Sequence, residues 1–159
     1  MTMDSAEFRR ILGHWGSGVA VVATHPPGAR PWGLTANAFA SVSLDPPLVL
    51  VCVDVRADTH DGLHVAGAFA VSVLAGDQER LARRFAADDV ADKFEGVAWR
   101  TEVTGAPVLE DAVAWVDCRV WAAHPAGDHT IFVGEVLAGD AADRLPLFFY
   151  RGGFGRFQP

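Results

Sequence analysis

Two long β-rich runs joined by a tight turn constrain this chain more than any other feature. Residues 112–124 read as one strand, and Pro125-Ala126-Gly127-Asp128 turns the chain. Residues 130–138 read as the next strand, so the pair forms an antiparallel hairpin. In the first run Ala114, Val116, Cys118 and Val120 share one face, and Trp115, Asp117, Arg119 and Trp121 share the other. A doubly wound parallel sheet would need helices alternating regularly with strands, and this chain lacks that rhythm. The pattern favours a β-barrel with helical insertions.

The remaining elements fit around that hairpin. Phe8, Ile11, Leu12 and Trp15 recur at helical spacing, with Asp4 placed to cap and Gly16-Ser17-Gly18 to stop the helix. Residues 19–24 read as a short strand before the His25-Pro26-Pro27-Gly28 turn. The run 48–53 reads as a strand buried on both faces, because its apolar content is continuous. A short helix over 59–66 would be capped by Asp58 or Thr59, and 69–74 reads as a strand. Asp77 is placed to cap a helix containing Leu81 and Phe85, with Arg80, Arg83 and Arg84 on its wetter faces. Residues 147–151 form a last strand, for six or seven strands and about three helices. No repeat or linker divides residues 1–159, which read as a single domain.

Composition narrows the function. The net charge is −7 and no Lys/Arg-rich run occurs, which argues against nucleic acid as the partner. Cys52 and Cys118 are far apart in apolar stretches and read as buried small hydrophobes. The first residues show no basic-then-apolar leader, and no apolar run is long enough to span a bilayer. A cytoplasmic protein that does not engage the membrane is the expectation. His60 and His64 share a helical face but lack a third ligand nearby, so no metal site is expected. No dinucleotide-binding glycine turn, phosphate-loop lysine or serine-nucleophile elbow is present.

The informative stretch is Gly33-Leu34-Thr35-Ala36-Asn37-Ala38-Phe39-Ala40-Ser41-Val42-Ser43, followed by Asp45-Pro46-Pro47 and an apolar strand. It resembles the short-chain flavin reductases, the reductase components of two-component flavin-dependent monooxygenases. Phe69–Leu74, Lys93-Phe94-Glu95-Gly96, Gly127-Asp128-His129 and Tyr150-Arg151-Gly152 resemble further motifs of that family, in the same order. The resemblance implies a homodimeric split β-barrel that passes a hydride from NADH or NADPH to FMN or FAD and supplies reduced flavin to an oxygenase.

It also implies a site. Thr35, Ala36, Asn37, Ser41, Val42 and Ser43 would cradle the flavin ring, whose reduced form carries negative charge that N–H and hydroxyl donors stabilise. Asp58, Thr59 and Lys93 would meet the flavin phosphate, with Arg84 as a further cation. The family has Ser-x-Thr where this chain has Ala57-Asp58-Thr59, so one hydroxyl is missing and a carboxylate is added. Phe94 would contact the cofactor, and Tyr150, Arg151 and Phe154 would cover the flavin, from the same subunit or from its partner. His129, oriented by Asp128, would position the nicotinamide and is the catalytic candidate. The alternatives are a flavin-binding protein of the same fold that does not turn over NADH, and an oxidase-type barrel for a pyridoxine-like substrate. The latter calls for more basic residues than this chain offers.

Overall fold

The computed structural model describes residues 2–159. Its centre is a seven-stranded antiparallel sheet with short helices packed on it. Helix α1 (Ser5–Leu12) starts where Asp4 accepts hydrogen bonds from the N–H groups of Ala6 and Glu7, both at 2.9 Å. Glu7 pairs with Arg10 instead of reaching back to close a capping box. Trp15 falls beyond the helix end, and Phe8, Ile11, Leu12 and Trp15 are all exposed.

The chain then forms β1 (Ser17–Gly18), β2 (Ala20–Thr24), β3 (Trp32–Ala36), β4 (Phe39–Leu44) and β5 (Pro47–Asp54). Helix α2 (Asp58–Ala66) and β6 (Ala68–Val73) follow, then α3 (Glu79–Ala86) and the small hairpin of β7 (Trp99–Thr101) and β8 (Pro107–Leu109). The long hairpin is β9 (Ala114–Ala126) and β10 (His129–Ala141), turned by Gly127 at φ 66°. A final hairpin joins β11 (Leu147–Tyr150) to β12 (Gly153–Arg156). The strand order of the main sheet is β3-β2-β6-β9-β10-β5-β4.

Two cores lie on opposite faces of β2. Ala20 and Val22 join Val51, Phe69, Cys118 and Phe132 on one side. Val21 and Ala23 join Leu74, Phe85 and Phe94 on the other. Close approach requires glycine at two places. A Cβ on Gly134 would come within 2.5 Å of the Phe69 ring, and one on Gly33 within 2.9 Å of Phe85.

The structure corrects several expectations. The described residues form twelve strands, because β1, β7, β8 and β12 are too short to show an apolar period. Strand β5 alternates instead of being buried throughout: Val49, Val51 and Val53 are buried, while Leu48, Leu50 and Cys52 are half-buried. Helix α2 begins at Asp58, with Ala57 at the cap position, and among the described residues no side chain caps it. Gln78, not Asp77, occupies the cap position of α3, and Asp77 is paired with Arg144 at 2.7 Å. The Arg84 guanidinium turns onto the 92–95 loop, donating to the carbonyls of Asp92, Lys93 and Glu95. Trp121 is an inserted residue in the β9–β10 register, so the face alternation read for β9 holds up to that bulge and shifts after it.

Candidate functional site

The 33–43 segment folds as β3, a turn at Asn37-Ala38 and β4. Its two halves face different environments. The Thr35 hydroxyl donates to the Ala82 carbonyl of α3 at 2.6 Å, which takes up the donor expected to face a ligand. Ala36 is buried in the core that contains Phe69. Asn37, Ala38, Ala40, Ser41 and Val42 are exposed, and Ser43 is half-buried. Strand β4 pairs only with β5 and is an edge of the main sheet. Val42 is an extra residue between the Ser41–Val49 and Ser43–Leu48 pairs, a bulge that turns backbone groups out of the ladder. An edge strand with a bulge, two serines and small neighbours offers N–H and hydroxyl donors to a flat anionic group at close range.

His129 opens β10, opposite Asp54 in the ladder. Its Nδ1 lies 2.7 Å from Asp128 Oδ1, which orients the ring and leaves Nε2 for another partner. This hydrogen bond holds the Asp128 carboxyl below the usual carboxylate range. Arg56, bonded to Asp54 through its side chain and backbone N–H, holds Asp54 well below that range too. The Val55 N–H donates to the Asp128 carbonyl at 3.1 Å, so the His129 turn is tied to the segment leading into α2.

Asp58, the first residue of α2, and Lys93 line one cavity of about 170 Å³, together with Arg30, Trp32 and Asp88. The Lys93 ammonium donates to the Phe85 carbonyl at 2.9 Å, and burial pushes its pKa below the ordinary lysine value. Thr59 is buried. Phe94 does not border a ligand space: its ring is packed edge-on against Phe85 and Trp99, and its N–H donates to Asp92. Within one protomer Tyr150 and Arg151 do not line this cavity. Tyr150 meets His14 edge-on at 6.1 Å, and the Arg151 N–H donates to the Gly13 carbonyl at the end of α1. The structure thus brings Asp58 to Lys93 and ties His129 to the chain that enters α2. It withdraws Phe94 and the Thr35 hydroxyl into the scaffold. His60 Nε2 sits 2.8 Å from the Thr130 hydroxyl, and among the described residues no group of three or more His, Cys, Asp or Glu is placed to hold a metal.

Arg30 and Trp32 were not legible as site residues. The signal was a basic and an aromatic residue two apart where the chain enters β3.

Residues 12–158 match the family profile described as flavin reductase like domain. The chain belongs to this family. It is 46% identical over 156 residues to the FMN reductase (NADH) SmoA of Agrobacterium fabrum, covering 98% of this chain and 87% of that protein. It is 41% identical over 157 residues to the reductase component of a 4-nitrophenol 4-monooxygenase/4-nitrocatechol 2-monooxygenase of Rhodococcus opacus, covering 99% and 83%. The solved structure of the NADH:FAD oxidoreductase SgcE6 of Streptomyces globisporus, in complex with NAD and FAD fragments, superposes with a TM-score of 0.92. That match has 44% sequence identity and covers 98% of this chain and 94% of that one. The antiparallel sheet with short helices is the fold of this flavin reductase-like family. Among the described residues no helix is long and apolar enough to cross a membrane.

Proposed function

We propose that this flavin reductase-like chain catalyses reduction of FMN or FAD by NADH or NADPH and delivers the reduced flavin to a flavin-dependent oxygenase. The observation that carries this reading is the open, bulged edge from Asn37 to Ser43, whose donors are turned outward in a sheet that also carries the His129–Asp128 pair. These residues fit a flavin: small side chains at Ala38 and Ala40 admit a flat ring, and hydroxyls and amides meet the charge it gains. A flavin bound there supplies the hydride-accepting atom and the electron sink.

The chain's own residues do the rest. The Val42 bulge and the Ser41 and Ser43 hydroxyls bind and orient the ring. Lys93 and the uncapped start of α2 receive the phosphate, and Asp58 sets a limit on the charge they accept. His129, held by Asp128, positions the nicotinamide, because hydride transfer depends on two rings in contact rather than on a proton shuttle.

In this reading the chain is a single cytoplasmic domain that works as a homodimer, with the sheet closed as a split β-barrel. Leu48, Leu50 and Cys52 of β5 and Ile131 and Val133 of β10 share the outward face beside the cradle and are only half-buried in one protomer. A second copy would cover this face and close the open side of the flavin slot. The relatives' names supply the class of oxygenase partner.

The deciding experiment follows flavin absorbance without oxygen, after mixing protein, NADH or NADPH, and FMN or FAD. Bleaching faster than the protein-free rate supports the reductase. Tight flavin binding without nicotinamide consumption replaces it with the non-catalytic flavin-binding reading. Sedimentation at the protomer mass would remove the dimer.

A further inference from the structure

Helix α2 rests on the sheet mainly through apolar contact. Its buried residues are Thr59, Gly62 and Leu63, and Leu63 joins the core that contains Phe69 and Phe132. Contact of this kind resists separation but has no direction, so it fixes neither the height nor the roll of a short helix. One directional bond is added in the first turn. His60 Nε2 lies 2.8 Å from the Thr130 hydroxyl of β10. Among the described residues this is the only hydrogen bond between an α2 side chain and the main sheet. Both partners are shielded from water: the His60 side chain is 12% exposed and Thr130 is buried. His64 at 4.9 Å and Phe132 at 5.6 Å hold the imidazole edge-on. Its Nδ1 is 3.2 Å from the Asp61 carboxylate, which can only accept. In the neutral ring the proton therefore sits on Nδ1, and Nε2 accepts from the Thr130 O–H.

The bond joins the two ends of the site. His60 is two residues past Asp58, in the turn that the reductase reading assigns to the flavin phosphate. Thr130 follows His129, and alternation along β10 points the two side chains to opposite faces of the sheet. Thr130 is gripped on the buried face while His129 is presented on the other, their Cα atoms about 3.8 Å apart. The Val55–Asp128 backbone bond ties the same strand end to the chain before α2, and His60 alone carries the tie into the helix.

We propose that His60 is a positioning residue for hydride transfer: its bond to Thr130 fixes the first turn of α2, and with it the flavin tail, against the strand that carries His129. The inference rests on the reductase reading and deepens it. Hydride transfer is steep in ring-to-ring geometry, and a misplacement of about 1 Å costs up to about a hundredfold. A loosened helix costs less, about tenfold in the rate constant, while every group that binds the flavin is still present.

The test compares wild type, His60→Leu, Thr130→Val, the double variant and His60→Gln, whose terminal amide reaches the place of Nε2. The rate constant for bleaching of FMN bound to excess protein is read in a single turnover without oxygen at saturating NADH. FMN Kd and a thermal melt accompany it. His60→Leu and Thr130→Val should each slow bleaching about tenfold, with FMN Kd within twofold of wild type. The double variant should be no slower than either single one, because both remove the same bond. His60→Gln should recover most of the rate. Wild-type rate constants in both single variants overturn the proposal whatever happens to Tm, and so do losses that multiply in the double variant. If His60→Leu does not fold, Thr130→Val and His60→Gln decide: slowing in the first alone supports the proposal, and equal rates overturn it. A wild type that bleaches flavin while the variants match it leaves the reductase reading standing. A wild type that does not bleach flavin overturns both.

Discussion

The two halves of the 33–43 segment are adjacent in sequence and opposite in physical role. Around Gly33, Thr35 and Phe94 polar groups are taken up inside the chain: the Thr35 hydroxyl donates to Ala82 and the Arg84 guanidinium to three carbonyls. From Asn37 to Leu44 the strand is an open edge, and Leu44 at its tip is 97% exposed. The comparison teaches that a motif shared with a family need not be a list of ligand contacts. Its first half fixes β3 against α3, and that anchorage gives the second half a rigid support from which to present donors.

The strongest way to break this division is Phe94→Ala. The ring fills the contact between Phe85 and Trp99 and almost no solvent reaches it. Truncating such a side chain costs about 3–5 kcal/mol. Urea unfolding should show that loss, while the folded fraction keeps its flavin Kd. A stable Phe94→Ala protein that had lost flavin affinity would return Phe94 to the ligand side.

The opposite signature belongs to the edge. Replacing Ser41 and Ser43 together by Ala should weaken flavin binding about tenfold, equivalent to roughly 1.4 kcal/mol. Stability should change by no more than about 0.5 kcal/mol, the usual range for surface substitutions. Titration and urea unfolding of the same preparation check both. A large loss of stability with unaltered binding would move these serines into the scaffold.

The 33–43 segment is legible in the sequence, but its division into an inward and an outward half is not. Periodicity showed the long hairpin, because thirteen-residue strands carry enough alternation to read. It missed β1, β7, β8 and β12, which have two to four residues each and no room for a period. It put Asp77 at a helix cap because Asp suits that position, but the carboxylate is held by Arg144, which is far away in sequence. The resemblance supplied motif order and nothing about side-chain direction. Phe94 and Thr35 were therefore grouped with residues that face the opposite way. Arg30 and Trp32 were passed over because a basic and an aromatic residue two apart form no motif, and only the fold places them with Asp58 and Lys93 around one cavity.

Thr35→Val sharpens the same comparison with a smaller effect. Valine keeps the volume and removes the bond to Ala82, so stability should fall by about 1 kcal/mol. Flavin Kd should stay within twofold of the wild type, because the hydroxyl faces α3 rather than the cradle. If instead the Kd rose tenfold with stability intact, the hydroxyl would have to leave Ala82 for the ligand.

The smallest effect separates the two regions by pH. The open end carries Asp54 and Asp128, both held below the usual carboxylate range by Arg56 and His129 respectively. A carboxyl whose folded pKa is depressed binds fewer protons folded than unfolded. Its contribution is therefore complete above about pH 4, the ordinary carboxylate value, and is lost as pH falls through the folded value. Asp128 is largely solvent-facing, so its share is modest and weakens with salt. Asp128→Asn should flatten the decline of Tm below about pH 4 slightly, and the difference from wild type should shrink at high salt. The same substitution frees the His129 ring to rotate, so the NADH KM should rise at neutral pH, where wild-type Tm is at its plateau. An unchanged acid limb together with an unchanged KM would mean that the Asp128–His129 bond orients nothing, and the open end would then lose its only argument for an ordered nicotinamide contact.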